Sequence, residues 1–143
     1  MTVVVDANLI AAVVLPLPYS DAATTKITAW KQAGASLYAP LLLEYEVATA
    51  LRKAVTAGLM TTPLAVEAMG NVLALNIECV RATREIHENA LWWAERLGHS
   101  RTYDAQYLAV AEQRRLPLWT ADQRLANGAR QVGVTWVHWV GET

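Results

Sequence analysis

The sequence contains a single cysteine, Cys79, and therefore cannot form an internal disulfide bond. Such a scarcity of thiols is typical of proteins from reducing compartments. The sequence also lacks any run of about 20 apolar residues, the length that a membrane-spanning helix needs. No basic stretch precedes the apolar N-terminal run, which Asp6 and Asn8 interrupt early. We therefore expect a soluble, cytoplasmic protein without a membrane segment.

Charged residues make up only 17% of the sequence, whereas hydrophobic residues make up 54%. The corresponding values for typical domains are about 25% and about 45–50%, so the composition excludes intrinsic disorder. The chain is long enough to bury one core, and we expect residues 1–143 to form a single domain. The surplus of apolar residues favours a surface for a partner or for a second copy of the chain, so we expect a homodimer.

Phenylalanine is absent, whereas tryptophan occurs six times. Trp92 and Trp93 are neighbours in a predicted helix, in which successive side chains point about 100° apart. Only one of the two can therefore face the core squarely, and we expect the other at an interface.

Short β-branched segments alternate with longer amphipathic segments along the sequence. We predict strands at residues 2–5, 36–39, 77–80, 116–119 and 134–140. We predict helices at residues 8–15, 21–33, 41–57, 63–75, 83–97, 102–114 and 122–132, with Asp21 capping the second and Gly34, Gly58 and Gly98 ending three of them. Strands that alternate with helices form a mainly parallel sheet covered on both faces, so the prediction is an α/β fold in three layers, α/β/α.

Four acidic residues lie where such a sheet would bring them together. Asp6 directly follows the first predicted strand, and Asp122 lies just past the fourth. Asp104 lies in the first turn of its helix, and Glu46 lies on the helix that follows the second strand. Because ligands bind outside the carboxyl ends of parallel strands, we expect these four side chains to converge on one edge of the sheet.

A cluster of carboxylates is stable only when a cation relieves the repulsion among them. Oxygen ligands without histidine or thiol partners suit Mg²⁺ or Mn²⁺, and such a centre supports the hydrolysis of a phosphodiester bond. Two bound divalent cations would also turn the formal net charge of -1 positive. The slightly acidic balance of the chain therefore does not exclude a nucleic-acid substrate.

Arginine, histidine and cysteine side chains are further candidates for a role in chemistry. The arginines that could contact phosphate groups are Arg101, Arg114, Arg115 and Arg124, for which solvated helix faces are the alternative. The histidines His87, His99 and His138 lack the spacing of metal ligands, and Cys79 lies in an apolar stretch that is typical of a core.

Three segments of the sequence resemble the PIN-domain family. VVVDANLIAAVVL resembles the family's opening, in which an aspartate ends the first strand and a small polar residue follows two positions later. APLLLEYEVATALRKAVTAGLM looks like the second segment, whose glutamate precedes a small, apolar helix. SRTYDAQYLAVAEQRRLPLWTADQRLA is the most specific segment, with an aspartate at the start of an alanine-rich helix and then a strand that ends in Thr-x-Asp.

The resemblance covers nearly the whole chain, and within the family it is strongest to the VapC-type toxins of toxin–antitoxin pairs. It implies a PIN-like fold, an endoribonuclease that acts on RNA with Mg²⁺ or Mn²⁺, and an antitoxin protein as partner. The residues that match the family's catalytic and metal-binding acids are Asp6, Glu46, Asp104 and Asp122. Asn8 and Thr120 match its accessory polar positions, and an N-cap and a turn are the alternative roles for these two.

The second segment contains two acids, Glu44 and Glu46, where the family pattern needs one. Two residues apart on a helix, they point about 200° away from each other and cannot both enter one site. The apolar arc of the helix favours Glu44, because a glutamate there is costly unless it is neutralised. The family pattern favours Glu46, which comes directly before the small, apolar stretch VATAL. We follow the pattern and predict Glu46.

Two other functions compete with the nuclease. A phosphatase of the haloacid-dehalogenase kind also begins with an aspartate after a strand, but it needs a second aspartate two residues later, where this chain has Asn8. It also needs a downstream lysine, and neither Lys31 nor Lys53 precedes a pair of acids at a strand end. The second alternative is a binding module that has kept a PIN-like fold and lost activity, against which the four intact acids argue.

Overall fold

The computed structural model describes residues 1–142 of the chain. Five strands form one parallel sheet in the order β3-β2-β1-β4-β5. The strands are β1 (Thr2–Val5), β2 (Ser36–Pro40), β3 (Glu78–Val80), β4 (Leu118–Thr120) and β5 (Val137–Trp139). The helices are α1 (Ala7–Val14), α2 (Ser20–Gln32), α3 (Leu42–Thr56), α4 (Thr62–Leu73), α5 (Arg84–Leu97), α6 (Tyr103–Arg114) and α7 (Gln123–Gln131).

The helices cover both faces of the sheet, because crossovers between parallel strands are right-handed. The chain moves from β1 to β2 and on to β3 in one direction, which places α1 to α4 on one face. It then crosses back to β4 and β5, which places α5 to α7 on the other face. Contacts of α1 with α2 and α3, of α3 with α4, and of α5 with α6 agree with this arrangement. The predicted α/β fold in three layers is confirmed.

The predicted strands and helices are all present, with ends that differ by a few residues. The fifth strand is shorter than predicted, Val137–Trp139, because only these residues pair with β4. The first helix begins at Ala7, since Asp6 and not Asn8 is its cap. The predicted cap of the second helix was wrong: Asp21 lies within the first turn, and the residue at the cap position, Tyr19, makes no capping hydrogen bond.

The two neighbouring tryptophans of α5 have different environments, as predicted. Trp93 is buried, its Nε1 donates to the Glu112 carboxylate at 3.2 Å, and its ring meets Trp136 edge to face. Trp92 is 67% exposed. Trp93 therefore belongs to the core, while Trp92 adds to the apolar surface. Among the described residues, no helix has both the length and the apolar character to cross a membrane.

Candidate active site

The point where the strand order reverses lies between β1 and β4. From this point the chain runs outward in both directions, with helices on opposite faces, so a crevice opens at the carboxyl ends of these two strands. Asp6 is the first residue after β1, and Asp122 is the second residue after β4. The sheet itself therefore brings these two acids side by side.

Asp6 is buried at this crevice, with 2% of its surface exposed. One carboxylate oxygen, Oδ1, caps α1 by accepting a hydrogen bond from the Leu9 amide at 2.9 Å. The other oxygen, Oδ2, is buried and has no hydrogen-bond partner among residues 1–142. The pKa of Asp6 is raised to about 7, chiefly by burial; the nearby Thr120 hydroxyl and the Leu9 amide act to lower it, and Asp104 and Asp122 act to raise it.

Thr120 and Asp122 form the other side of the crevice. Thr120 is fully buried, and its hydroxyl oxygen accepts a hydrogen bond from the Asp122 amide at 2.9 Å. Oδ1 of Asp122 caps α7 by accepting from the amides of Arg124 at 3.0 Å and Leu125 at 3.4 Å. The Thr120 side chain thus lies against both acids and fixes the turn that carries Asp122.

Asp104 is placed by the first turn of α6, on the face of the sheet opposite to α1. Burial and the neighbouring Asp122 raise the pKa of Asp104, while His99 and Arg124 lower it. The His99 Nδ1 atom lies 3.9 Å from Asp104 Oδ2. His99 has no metal-ligand spacing in the sequence, yet the loop between α5 and α6 places it beside an acid.

Glu46 reaches the same region from α3. Its Oε1 accepts a hydrogen bond from the hydroxyl group of Tyr107 at 2.7 Å, and Tyr107 is buried. Burial and the neighbouring Asp104 raise the pKa of Glu46, and the Tyr107 hydroxyl lowers it. Sequence analysis missed Tyr107, although its position three residues after Asp104 puts both on one face of α6.

Glu44 points to a different part of the molecule. It borders a small cavity between α3, α4 and β3, with Val72, Ile77 and Cys79 among its neighbours. Burial and the Glu44 carboxylate raise the pKa of the Cys79 thiol to about 11. Glu46 is therefore the glutamate of α3 that lies with the other acids, and Glu44 is separated from them.

An open cleft of about 650 Å³ lies over these acids, and we call it the acid cleft. It is lined by Glu46, Asp104 and Asp122, by residues 98–101 and Tyr103, and by Arg124 and Leu125. Asp6 lies beneath it, next to Asp104 and Asp122. Two of the four candidate arginines, Arg101 and Arg124, thus lie at the acids. Arg114 instead lies over the ring of Tyr38, and Arg115 ends α6 at the opposite edge of the sheet.

Asn8 lies in the first turn of α1 and is exposed. It lines two depressions that flank the acids, one next to Glu46 and Lys53 and the other next to Asp122 and Arg124. The cap alternative for Asn8 is excluded, because Asp6 occupies the cap position of α1.

The donor set suits a hard divalent cation, because it consists of carboxylate oxygens and includes the unpartnered Oδ2 of Asp6. Among residues 1–142, however, no three acidic, histidine or cysteine side chains lie close enough to make a ready-made metal cage. An open cleft of this kind fits Mg²⁺, which usually binds one or two carboxylates and keeps waters and substrate phosphates as its other ligands.

A family model described as the PIN domain matches residues 3–131 of the chain. Among solved structures, the chain is similar to the protein PAE2754 from Pyrobaculum aerophilum, with a TM-score of 0.69 and 23% identity. That match covers 98% of this chain and 84% of the other. The chain is also similar to a chain of a toxin–antitoxin complex from Klebsiella pneumoniae, with a TM-score of 0.62, 18% identity and 99% of each chain covered. No curated protein matches the sequence.

Proposed function

Because this chain belongs to the PIN-domain family, whose members are generally nucleases, we propose that it is an endoribonuclease that requires Mg²⁺ or Mn²⁺. The observation that carries the proposal is the convergence of Glu46, Asp104 and Asp122 on one cleft, with Asp6 beneath it. Burial and mutual repulsion raise the pKa of three of these acids, so the cluster gains stability when a cation binds.

The candidate ligands for the cation are Asp6, Glu46, Asp104 and Asp122, of which one or two carboxylates suffice for Mg²⁺ when waters and substrate phosphates are its other ligands. A divalent cation bound there supplies a water of lowered pKa and neutralises charge on the phosphate oxygens. Asp6 must lose its proton before it can act as a ligand, and its pKa of about 7 places that loss near neutral pH.

The neighbours of the acids act as positioning residues. The Tyr107 hydroxyl holds Glu46 through its Oε1, which leaves Oε2 for a ligand or a water. Thr120 holds the turn of Asp122 and lies beside Asp6. Asn8 lines the cleft's flanks, where its amide can hydrogen-bond a water or a phosphate oxygen.

Arg101, Arg124 and His99 are placed to bind the RNA backbone. All three line the acid cleft, and Arg101 also lines the neighbouring depression next to Lys53. A phosphate that approaches the acid cleft therefore meets cationic groups on both sides of Glu46. Arginine binds phosphate oxygens in a bidentate manner, which offsets the repulsion between the acids and the RNA backbone.

Incubation of the purified chain with a mixed-sequence single-stranded RNA tests the proposal. We expect cleavage with Mn²⁺ or Mg²⁺, none with EDTA, and none of a DNA of the same sequence. The Asp104→Asn variant should be inactive, whereas Glu142→Gln, at an acid that does not line the acid cleft, should cleave normally. Cleavage that is equally fast in EDTA would refute a metal-dependent nuclease.

The two alternative functions, a phosphatase and a silent binding module, are distinguished from the nuclease by different observations. The haloacid-dehalogenase kind of phosphatase is disfavoured by the family match and by Asn8 at its second aspartate position. A catalytically silent PIN module predicts Mn²⁺ binding without cleavage, so the assay above separates it from the nuclease.

We further propose that the chain is a toxin that an antitoxin restrains, and that it forms a homodimer. The similarity to a chain of the Klebsiella pneumoniae toxin–antitoxin complex supports the first part. Two separate groups of exposed apolar side chains support both parts. One group, around α4, comprises Leu59, Leu64, Val66 and Leu73, and the other, on α5, comprises Leu91 and Trp92. Expression alone should arrest growth of the host, and harmless expression of the active nuclease would refute the toxin role.

A further inference from the structure

A second cavity lies at the carboxyl edge of the sheet, next to the acid cleft, and we call it the side pocket. It has a volume of about 310 Å³ and lies at the ends of β2 and β3. Its walls are largely apolar and include Pro40, Leu41, Leu42, Val80, Ala82 and Tyr103. The volume is at the lower end of the range for ligand pockets, about 300–1,000 Å³, so it suits a small planar group.

Tyr103 connects the side pocket to the acid cleft. Its side chain lines both, is 52% exposed, and directly precedes Asp104. The side pocket lies at the ends of the next two strands from β1, roughly 5–10 Å away at about 4.8 Å per strand. An RNA chain with a phosphate at the acids would therefore reach the side pocket with a nearby base, passing the ring of Tyr103.

We propose that the side pocket binds one unpaired base of the RNA, next to the phosphate that is cut. The proposal rests on the nuclease function proposed above and adds to it a base preference at a defined subsite. Bases that leave the stack are commonly bound between apolar or aromatic walls, with hydrogen bonds to the base edge at one end.

The polar end of the side pocket is formed by Gln106 and His87. Gln106 is only 9% exposed, and its Nε2 lies 3.0 Å from His87 Nδ1. When the amide donates this hydrogen bond, Nδ1 accepts and the imidazole proton lies on Nε2. Gln106 then keeps its carbonyl oxygen and a second N–H, and His87 keeps one N–H. The pocket thus presents both donors and acceptors, which is what the edge of a base requires.

Arg81 supplies a positive charge at the rim of the side pocket. It lines the side pocket and is exposed, so its guanidinium can bind a phosphate adjacent to the base. With Arg101 in the acid cleft, cations occur at both ends of the path past Tyr103. A base that is paired in a duplex cannot enter a pocket of this size, so the geometry favours single-stranded RNA.

Binding of uncleavable RNA tests the subsite without relying on catalysis. Four fluorescein-labelled 2′-O-methyl hexanucleotides, each of one base, are titrated with the full chain in Ca²⁺, and anisotropy gives the Kd. We expect the wild type to bind one of them at least about tenfold more tightly than the weakest. Gln106→Met, which keeps the shape of the side chain and removes the amide, should reduce this difference to about twofold or less.

The matched control is Gln113→Met, on the exposed side of the same helix, which should keep the wild-type preference. If Gln106→Met does not fold, His87→Ala removes the other half of the polar pair at an exposed position. Equal affinity of the wild type for all four probes, or a preference that survives both substitutions, would overturn the base subsite.

The outcomes separate the subsite from the nuclease function. Cleavage of RNA without base preference in binding leaves the nuclease standing and refutes the subsite. Base-selective binding without cleavage in Mn²⁺ refutes the nuclease and leaves a base-binding pocket. If Leu41→Ser changes the oligomeric state and not the binding of any probe, the pocket is a protein contact and the proposal is wrong.

Discussion

Asp6 has two structural roles that make opposite demands on its charge. As the cap of α1, its carboxylate accepts the Leu9 amide, an interaction that favours the ionised form. As a buried group beside Asp104 and Asp122, it is driven toward the neutral form, and burial is the larger effect. This conflict lowers the free energy of unfolding of the metal-free protein. The fold is therefore less stable with a carboxylate at this position than it would be with a side chain that carries no charge.

The first prediction concerns the stability of Asp6→Asn in EDTA. The folded-state pKa of about 7 lies above the ordinary value of 3.8, so the folded protein holds a proton that the unfolded chain has lost. The free energy of unfolding of the wild type should therefore fall as the pH rises from about 4 to about 7. The variant, which does not titrate, should exceed the wild type by on the order of 1–3 kcal/mol at pH 8 and match it at pH 4.

Chemical denaturation at several pH values measures this difference. Asp21→Asn, an exposed acid of the first turn of α2, is the control and should track the wild type. If the difference in free energy of unfolding between Asp6→Asn and the wild type does not change with pH, the buried Asp6 carboxylate does not destabilise the folded protein as predicted.

The second prediction separates the two glutamates of α3. Glu46→Gln keeps an oxygen that can accept from Tyr107, so the fold should persist, while RNA cleavage should fall by roughly a hundredfold or more. Glu44→Gln lies beside Cys79 and away from the acid cleft, and it should cleave within about twofold of the wild type. Initial rates of RNA cleavage with Mn²⁺ measure this difference. If Glu44→Gln lost activity and Glu46→Gln kept it, Glu44 and not Glu46 would be the glutamate of the active site.

The sequence predicted some of these residues and not others for a physical reason. Asp6 and Asp122 were predictable because a strand end fixes the place of the next residues in a parallel sheet. Tyr107 and His99 were not, because their contacts depend on how α3 and the 98–102 loop pack against α6. Glu46 was predicted from the family pattern alone, since the apolar arc of α3 favoured Glu44. Only the packing of α4 and β3 shows that Glu44 has a separate, half-buried environment.

At the scale of elements, the α5–α6 connection contributes the most residues to the acid cleft. Gly98 ends α5 in the left-handed conformation, with φ 70°, and the loop after it carries His99 and Arg101 into the cleft. The glycine was predicted as a helix end, as was Gly34, which follows α2 with φ 73°. The strands β4 and β5 were placed less accurately, since their ends are set by pairing with neighbours and not by local pattern.

The third prediction uses these two glycines as a matched pair. A Cβ atom at Gly98 or at Gly34 meets nothing within 4 Å, so both alanine variants carry the same backbone strain and little else. Each should lose about 1 kcal/mol of stability. Only Gly98→Ala should also raise the KM for RNA severalfold, because it shifts His99 and Arg101, whereas Gly34 lies at the opposite edge of the sheet. Equal KM values for RNA in the two variants would exclude a role of the loop with His99 and Arg101 in RNA binding.

At the scale of the whole molecule, binding of the proposed cations would change the charge balance. The chain has a formal net charge of -1 and places four acids at the crevice where the strand order reverses. The apolar surfaces on α4 and on α5 lie on opposite faces of the sheet, away from that crevice. The proposed catalytic site and the proposed association surfaces thus occupy different parts of the fold.

The last prediction is that Mn²⁺ stabilises the protein through the acids. A ligand that binds only the folded state raises the free energy of unfolding by about 2.7 kcal/mol at a hundred times its Kd, which corresponds to a rise of several degrees in Tm. The rise should be larger at pH 8 than at pH 5.5, because at the lower pH Mn²⁺ competes with the proton on Asp6. Asp122→Asn, which can still cap α7 through its amide oxygen, should keep the fold and lose most of the response. Glu142→Gln should respond like the wild type, and EDTA should reverse the rise in both. A Tm that does not change with Mn²⁺, or a response that survives Asp122→Asn, would contradict a cation held by these carboxylates.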